Sequence, residues 1–243
     1  PLIGILICCI HFRSSRCTIH LCPAIPSLRR LIHSCQVGVS AFVGEFSSGV
    51  ITASFNMIIL SLAGNIGVAA YGVVANTSLV AISLFNGIAQ GSQPLVSQYY
   101  GKGEKKQVCS VLKMALVTAL CLALILLLVI QTCAPAIASV FNKEHDPQLA
   151  TYAENGLRIY FVGFLFAGIN IVGTAALSAV ESVKSAFAAS IMRGFAAILL
   201  FAFLLSALYG MTGVWLAFPS AEFVTMFITL CGLRKYTNST PSV

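Results

Sequence analysis

Residues Ala119 to Ile130 read ALCLALILLLVI. A helix built from this run has no polar face to turn toward water, so its setting is lipid or the inside of a helical bundle. Outward from it, the apolar segment extends from about Val108 to Cys133, and about 20 residues suffice to cross a bilayer core. The rest of the chain has the same character. Hydrophobic residues make up 58% of 243 positions and charged residues only 9%, whereas a water-soluble domain carries about 25% charge. With a mean hydropathy of +0.93, the exterior must face lipid.

Five further spans follow from the same reading: about Val37 to Leu62, Val68 to Ser97, Leu149 to Val180, Ser185 to Leu208 and Val214 to Leu233. Tight turns are expected at Gly64-Asn65-Ile66-Gly67 and at Tyr209 to Gly213, with loops at Tyr99 to Gln107, Pro135 to Pro147 and Glu181 to Lys184. The predicted fold is an all-α integral membrane protein, a bundle of six transmembrane helices over residues 37–235. Residues 1–36 are read as a basic cytoplasmic loop in which Pro23 and Pro26 break any long helix. A short helix is allowed at 27–35, and the tail of a preceding helix at 1–10. Residues 236–243 are read as a cytoplasmic tail. The chain begins at Pro1 rather than Met and is read as a fragment.

Basic residues orient the bundle, because Lys and Arg accumulate in cytoplasmic loops. The segments 11–36, 99–107, 181–184 and the C-terminal tail hold four, three, one and two of them, against Lys143 alone in the loops on the other side. Both ends are therefore expected in the cytoplasm. The net charge of +7 belongs to these loops and meets anionic headgroups. No basic stripe with interleaved aromatics points to nucleic acid. Several cysteines (Cys121, Cys133, Cys231) lie inside apolar runs, as small apolar residues do. His11, Cys17, His20 and Cys22 form the one conceivable metal cluster, at spacings that fit no zinc pattern.

Charges within spans are costly, about 2.5 to 3.5 kcal/mol each at mid-bilayer on insertion scales, and usually face a bundle interior or a water path. Glu45 lies about 12 Å inside the cytoplasmic end of the first span at 1.5 Å per residue. A carboxylate in such a setting can load and release a proton or cation, or simply brace a neighbouring helix. Glu222 near the middle of the sixth span has the same two readings. Arg193 in the fifth can snorkel toward the cytoplasm or pair with Glu45 or Glu222. Asn56, Asn76, Asn86, Gln90, Gln93 and Asn170 can line a polar cavity or hydrogen-bond between helices. Gly87 and Gly91 form a GxxxG pattern that permits close helix approach. No phosphate loop, GxSxG or HExxH is present, so no enzyme chemistry is expected.

Several strings resemble the multidrug and toxic compound extrusion (MATE) family of cation-coupled exporters, in its C-terminal lobe. GVSAFVGEFSSGVITASFN (Gly38 to Asn56) is similar to the start of that family's seventh helix. AYGVVANTSLVAISLFNGIAQGSQPLVSQYYGKGE (Ala70 to Glu104) resembles its eighth helix and following loop. LRIYFVGFLFAGINIVGTAALSAVESVKSA (Leu157 to Ala186) and GVWLAFPSAE (Gly213 to Glu222) resemble helices ten to twelve. The resemblance implies one lobe of a twelve-helix, inverted-V antiporter, with residues 11–36 similar to the loop joining two lobes and the N-terminal lobe missing. It implies export of small, often cationic drugs in exchange for H+ or Na+ at the plasma membrane, with no other cofactor and with the bilayer as partner.

By the same resemblance Glu45 falls on the acidic position linked to cation coupling, and Asn170 where some members carry an aspartate. That replacement weakens a two-carboxylate sodium site. Ser40 stands where a proline is common. Asn56, Gln90, Gln93, Asn170 and Glu222 are the candidate cavity residues. Two rival readings remain, a flippase for lipid-linked precursors from the same superfamily and a membrane scaffold that transports nothing.

Overall fold

The computed structural model describes residues 27–238. The metal-cluster candidates His11, Cys17, His20 and Cys22 lie outside them, as does the side chain of Glu45. The chain divides into two compact units, Pro1–Ala41 and Phe42–Val243. In the first, the backbone is helical from Leu28 onward.

The elements, in chain order, are α1 (Leu28–Gly101), α2 (Lys105–Phe141), α3 (Pro147–Tyr160), a 3₁₀ turn (Phe161–Gly163), α4 (Phe164–Ala179), α5 (Val183–Ile191), a π turn (Met192–Ala196) and α6 (Ala197–Asn238). Among the described residues there is no strand. Four helical stretches are long and apolar enough to cross a membrane: Gly49–Gly101, Lys105–Phe141, Pro147–Ala179 and Lys184–Thr237. The first and last have 53 and 54 residues, about 80 Å each if straight, against a hydrocarbon core of about 30 Å.

They are not straight. Gly64 adopts φ 61°, ψ −156° inside α1 and Gly210 φ 56°, ψ −134° inside α6, conformations open to glycine because it lacks a Cβ. At Gly64 the chain doubles back. Phe55 and Tyr71 stack with ring centroids 5.5 Å apart, although sixteen helical positions would separate them by about 24 Å. At Gly210 the reversal is tighter still, since a Cβ on Gly213 would collide with the carbonyl oxygen of Leu205. Four helical stretches thus make six arms, and both reversals fall in the turns expected at 64–67 and 209–213.

The interior is built from small residues and a few large rings. In α2 the buried positions include Ala115, Ala119, Ala123, Ala134 and Ala138, while Leu124, Ile125 and Leu128 point outward. This inverts a soluble helix. Lipid is as apolar as leucine, so helices associate through small faces that allow close approach. The rings form two chains: Phe55, Tyr71 and Trp215, and Phe85, Phe164, Phe218 and Tyr160. The GxxxG face at Gly87 and Gly91 takes no part, with open space within 4 Å of either notional Cβ.

The short connections are locally closed. Asp146 caps α3, accepting from the backbone N–H groups of Gln148 (2.7 Å) and Leu149 (3.2 Å). Asn142 bridges the same loop, donating through Nδ2 to the Asp146 carbonyl and accepting from its N–H.

Candidate functional site

Two polar features stand out, one inside the bundle and one on its surface. Inside, Arg193 Nε donates to Glu222 Oε1 at 2.6 Å. Glu222 is sealed, its side chain 4% exposed, whereas Arg193 is 29% exposed. Asn170 is fully buried and donates through Nδ2 both to Glu222 Oε2 at 2.7 Å and to the Glu222 carbonyl at 2.8 Å. Its own Oδ1 is buried without a hydrogen-bond partner. Three arms are thereby tied together by α4, the π turn and the second half of α6.

The sequence around each residue explains how they meet. The Gly163 of the 3₁₀ turn lies so close to α6 that a Cβ there would sit 2.5 Å from Phe218 Cδ1 and 3.1 Å from Pro219 Cα. Ten residues later a Cβ on Gly173 would sit 2.4 Å from Thr229 Cγ2. Asn170 lies between these two close approaches, so it reaches the Glu222 backbone as well as its carboxylate. Pro219 has no N–H, which leaves the helix free of one bond just before Glu222. Arg193 sits in the π turn, a local insertion common at functional positions. Tyr160 stacks on Phe218 with ring centroids 4.2 Å apart.

On the surface, the second arm of α1 carries a polar stripe. At 100° per residue, Gly72, Asn76, Ser83, Asn86, Gly87, Gln90, Pro94 and Ser97 fall within about 100° of one another, a sector interrupted by the exposed Leu79. From Asn76 to Ser97 all of these are exposed, and Gly72 is half-buried. Asn76 and Ser83 donate to carbonyls of their own helix, those of Gly72 and Leu79. The opposite side of this arm is core, with Val74, Ala81, Phe85 and Ala89 buried.

The sequence-predicted residues therefore separate. Asn170 and Glu222 are brought together, and Arg193 takes Glu222 as its partner. Gln90 is exposed on the stripe, and Gln93 and Asn56 are half-buried. Glu45 lies in the helical backbone of the first arm. No group of three or more His, Cys, Asp or Glu suited to a metal occurs among the described residues. The π turn was absent from the sequence reading. No local pattern signals it; Arg, Glu and Asn within spans show only that each needs a partner.

Comparison with known proteins agrees with this architecture. Residues 41–204 match the profile of the MatE family. The multidrug export protein MepA of Staphylococcus haemolyticus (strain JCSC1435) is 25% identical over 195 residues, covering 80% of this chain and 42% of that protein. MepA of Staphylococcus aureus (strain MSSA476) is 24% identical over 211 residues, 86% of this chain and 44% of that one. The outward-facing structure of a multidrug resistance MATE family transporter of the MOP superfamily superposes with a TM-score of 0.85 at 18% identity, over 96% of this chain and 53% of its own. An inward-facing structure gives 0.83 at 17% identity, over 98% and 56%. The chain spans about half the length of the relatives it matches.

Proposed function

From the membership of this chain in the MATE family of multi-pass membrane transporters, we propose that it forms one lobe of a secondary antiporter that exports cationic drugs in exchange for H+ or Na+. The observation that carries this reading is the polar stripe. Exposed amides at membrane depth are unfavourable against lipid, so Asn86 and Gln90 belong against water or a second lobe, where a substrate path would run. The similarity to MepA, a multidrug export protein, supports the substrate class. The lobe superposes almost equally well on outward- and inward-facing relatives, as expected if lobes rock as bodies in alternating access.

In this scheme the protein resides in the plasma membrane with both termini cytoplasmic. Glu45 is the coupling group, binding either the driving cation or the drug, because only a difference in affinity between states can link the two fluxes. Asn56, Gln90 and Gln93 line the path. Ethidium efflux from cells expressing this lobe joined to its N-terminal counterpart tests the proposal. Cation-driven efflux should fall to background in Glu45→Gln. Undiminished efflux in that variant overturns the coupling role, and absence of efflux of any cationic dye from the parent overturns drug export.

A further inference from the structure

One face of α2 changes character along its length. At 100° per residue, Lys106, Ser110, Lys113, Val117, Leu120 and Leu124 fall within about 80° of one another, and all six are exposed. The stripe is cationic and hydroxylic at its N-terminal end and purely apolar beyond. We propose that it seats one anionic phospholipid, the phosphate held between the Lys106 and Lys113 ammonium groups beside Ser110, with an acyl chain along Val117, Leu120 and Leu124. In the orientation proposed above, this lipid belongs to the cytoplasmic leaflet.

The dimensions fit such an occupant. Lys113 and Leu124 are about 16 Å apart along the helix, close to one leaflet's share of a hydrocarbon core about 30 Å thick. Side chains on a helix lean toward its N-terminus, so Lys113 reaches back toward Ser110 and Lys106 while its stem covers apolar surface. The two lysines are separated by about 10 Å along the axis, and their flexible four-carbon stems let both ammonium groups close on one phosphate. At the far end of α2 the same face carries Gln131 and Pro135 and no charge, so only one end is suited to a headgroup.

The two lysines are also set apart from their neighbours. Lys102 and Lys105 lie over the rings of Tyr99 and Tyr236, 5.9 and 5.8 Å from the centroids. Lys106 and Lys113 make no ion pair or ring contact among the described residues. The Ser110 hydroxyl has no partner there either, whereas that of Thr118, two turns on, donates to the Met114 carbonyl. Residues 102–113 hold four lysines against Glu104 as the sole acid, so the local field is positive and favours an anionic headgroup over a zwitterionic one. An open cavity of about 730 Å³ adjoins Lys106, lined also by Gly103, Glu104, Lys105, Gln107 and Cys109. It leaves room for a glycerol headgroup, whose hydroxyls find acceptors in Glu104 and Gln107.

The test uses the full chain, delipidated in detergent, with dioleoyl phosphatidylglycerol added to the micelles as probe and dioleoyl phosphatidylcholine as control. Wild type should rise in Tm by about 2 °C or more with the first and not with the second, because a ligand that binds only the folded state stabilises it. Lys106→Gln/Lys113→Gln should lose that rise. Lys184→Gln/Arg234→Gln removes equal charge from other exposed positions and should keep it. No rise in wild type, or a rise that survives in the first pair, overturns the site. Equal loss in both pairs overturns it too, in favour of diffuse attraction to anionic lipid. sn-Glycerol 3-phosphate, a phosphate without acyl chains, should leave Tm unchanged, and an equal rise with it overturns the lipid assignment. If the first pair does not fold, Lys106→Gln and Lys113→Gln taken singly should each reduce the rise, and no reduction in either overturns the proposal equally. Neither dye efflux nor orientation enters this readout, so its failure and the failure of drug export are distinguishable.

Discussion

Replacing Gly64 with Ala tests whether the first helical stretch is one long helix or two arms. At φ 61°, ψ −156° the backbone is in a region nearly confined to glycine, where a side chain costs about 1–3 kcal/mol. A Cβ at Gly64 would meet nothing within 4 Å, so no steric clash adds to that figure. The unfolded chain loses freedom when Gly becomes Ala, which offsets about 0.4–1 kcal/mol. The net expectation is a loss of about 1–2 kcal/mol. Were the helix continuous through this position, the same change would stabilise it by about 0.8–1 kcal/mol. The two architectures therefore predict opposite signs. Gly72→Ala is the control, because Gly72 has helical backbone and equally open space, and it should stabilise. The assay is unfolding of the detergent-solubilised chain followed by far-UV circular dichroism. Gly64→Ala behaving like Gly72→Ala refutes the hairpin.

Gly163→Ala should destabilise by about 1–3 kcal/mol through overpacking, since its Cβ would press on Phe218 and Pro219. Adding Phe218→Leu should recover part of the loss in the same unfolding assay. Asp146→Ala removes the α3 cap and should cost about 0.5–2 kcal/mol. Amide hydrogen exchange should quicken at Gln148 and Leu149 and stay unchanged around Glu222.

Much of the fold was legible because its causes are local. Apolar length sets the spans, and glycines at 64 and 210 sit where only a residue without a Cβ turns so sharply. The division of each apolar helix into core and exterior was less legible. In α2 the distinction between Ala119, buried, and Leu124, exposed, runs against the habit that larger apolar residues go inside, and it reads correctly only once lipid is the solvent. The long fourth span was expected as one piece. It contains a 3₁₀ turn at Phe161–Gly163, where Gly163 closes on Phe218 and Pro219 more than fifty residues away, and no local pattern reports that approach. The pairing of Arg193 with Glu222 was one of two open options, because spacing along separate helices does not fix which faces meet.

The two exposed faces of the lobe differ in a way that bears on what must cover them. Leu120, Leu124 and Leu128 on α2 are exposed, and lipid satisfies them fully. The second arm of α1 exposes Asn86 and Gln90, for which the described residues supply no hydrogen bond, unlike Asn76 with its own-helix carbonyl. Burying a polar amide in hydrocarbon without a partner costs several kcal/mol, so two such amides together rival the whole stability of an ordinary fold, about 5–15 kcal/mol. A lobe with lipid on both faces would carry that penalty, while one whose stripe meets water or another protein surface would not. The polarity of α1 thus selects which side of the bundle turns away from lipid.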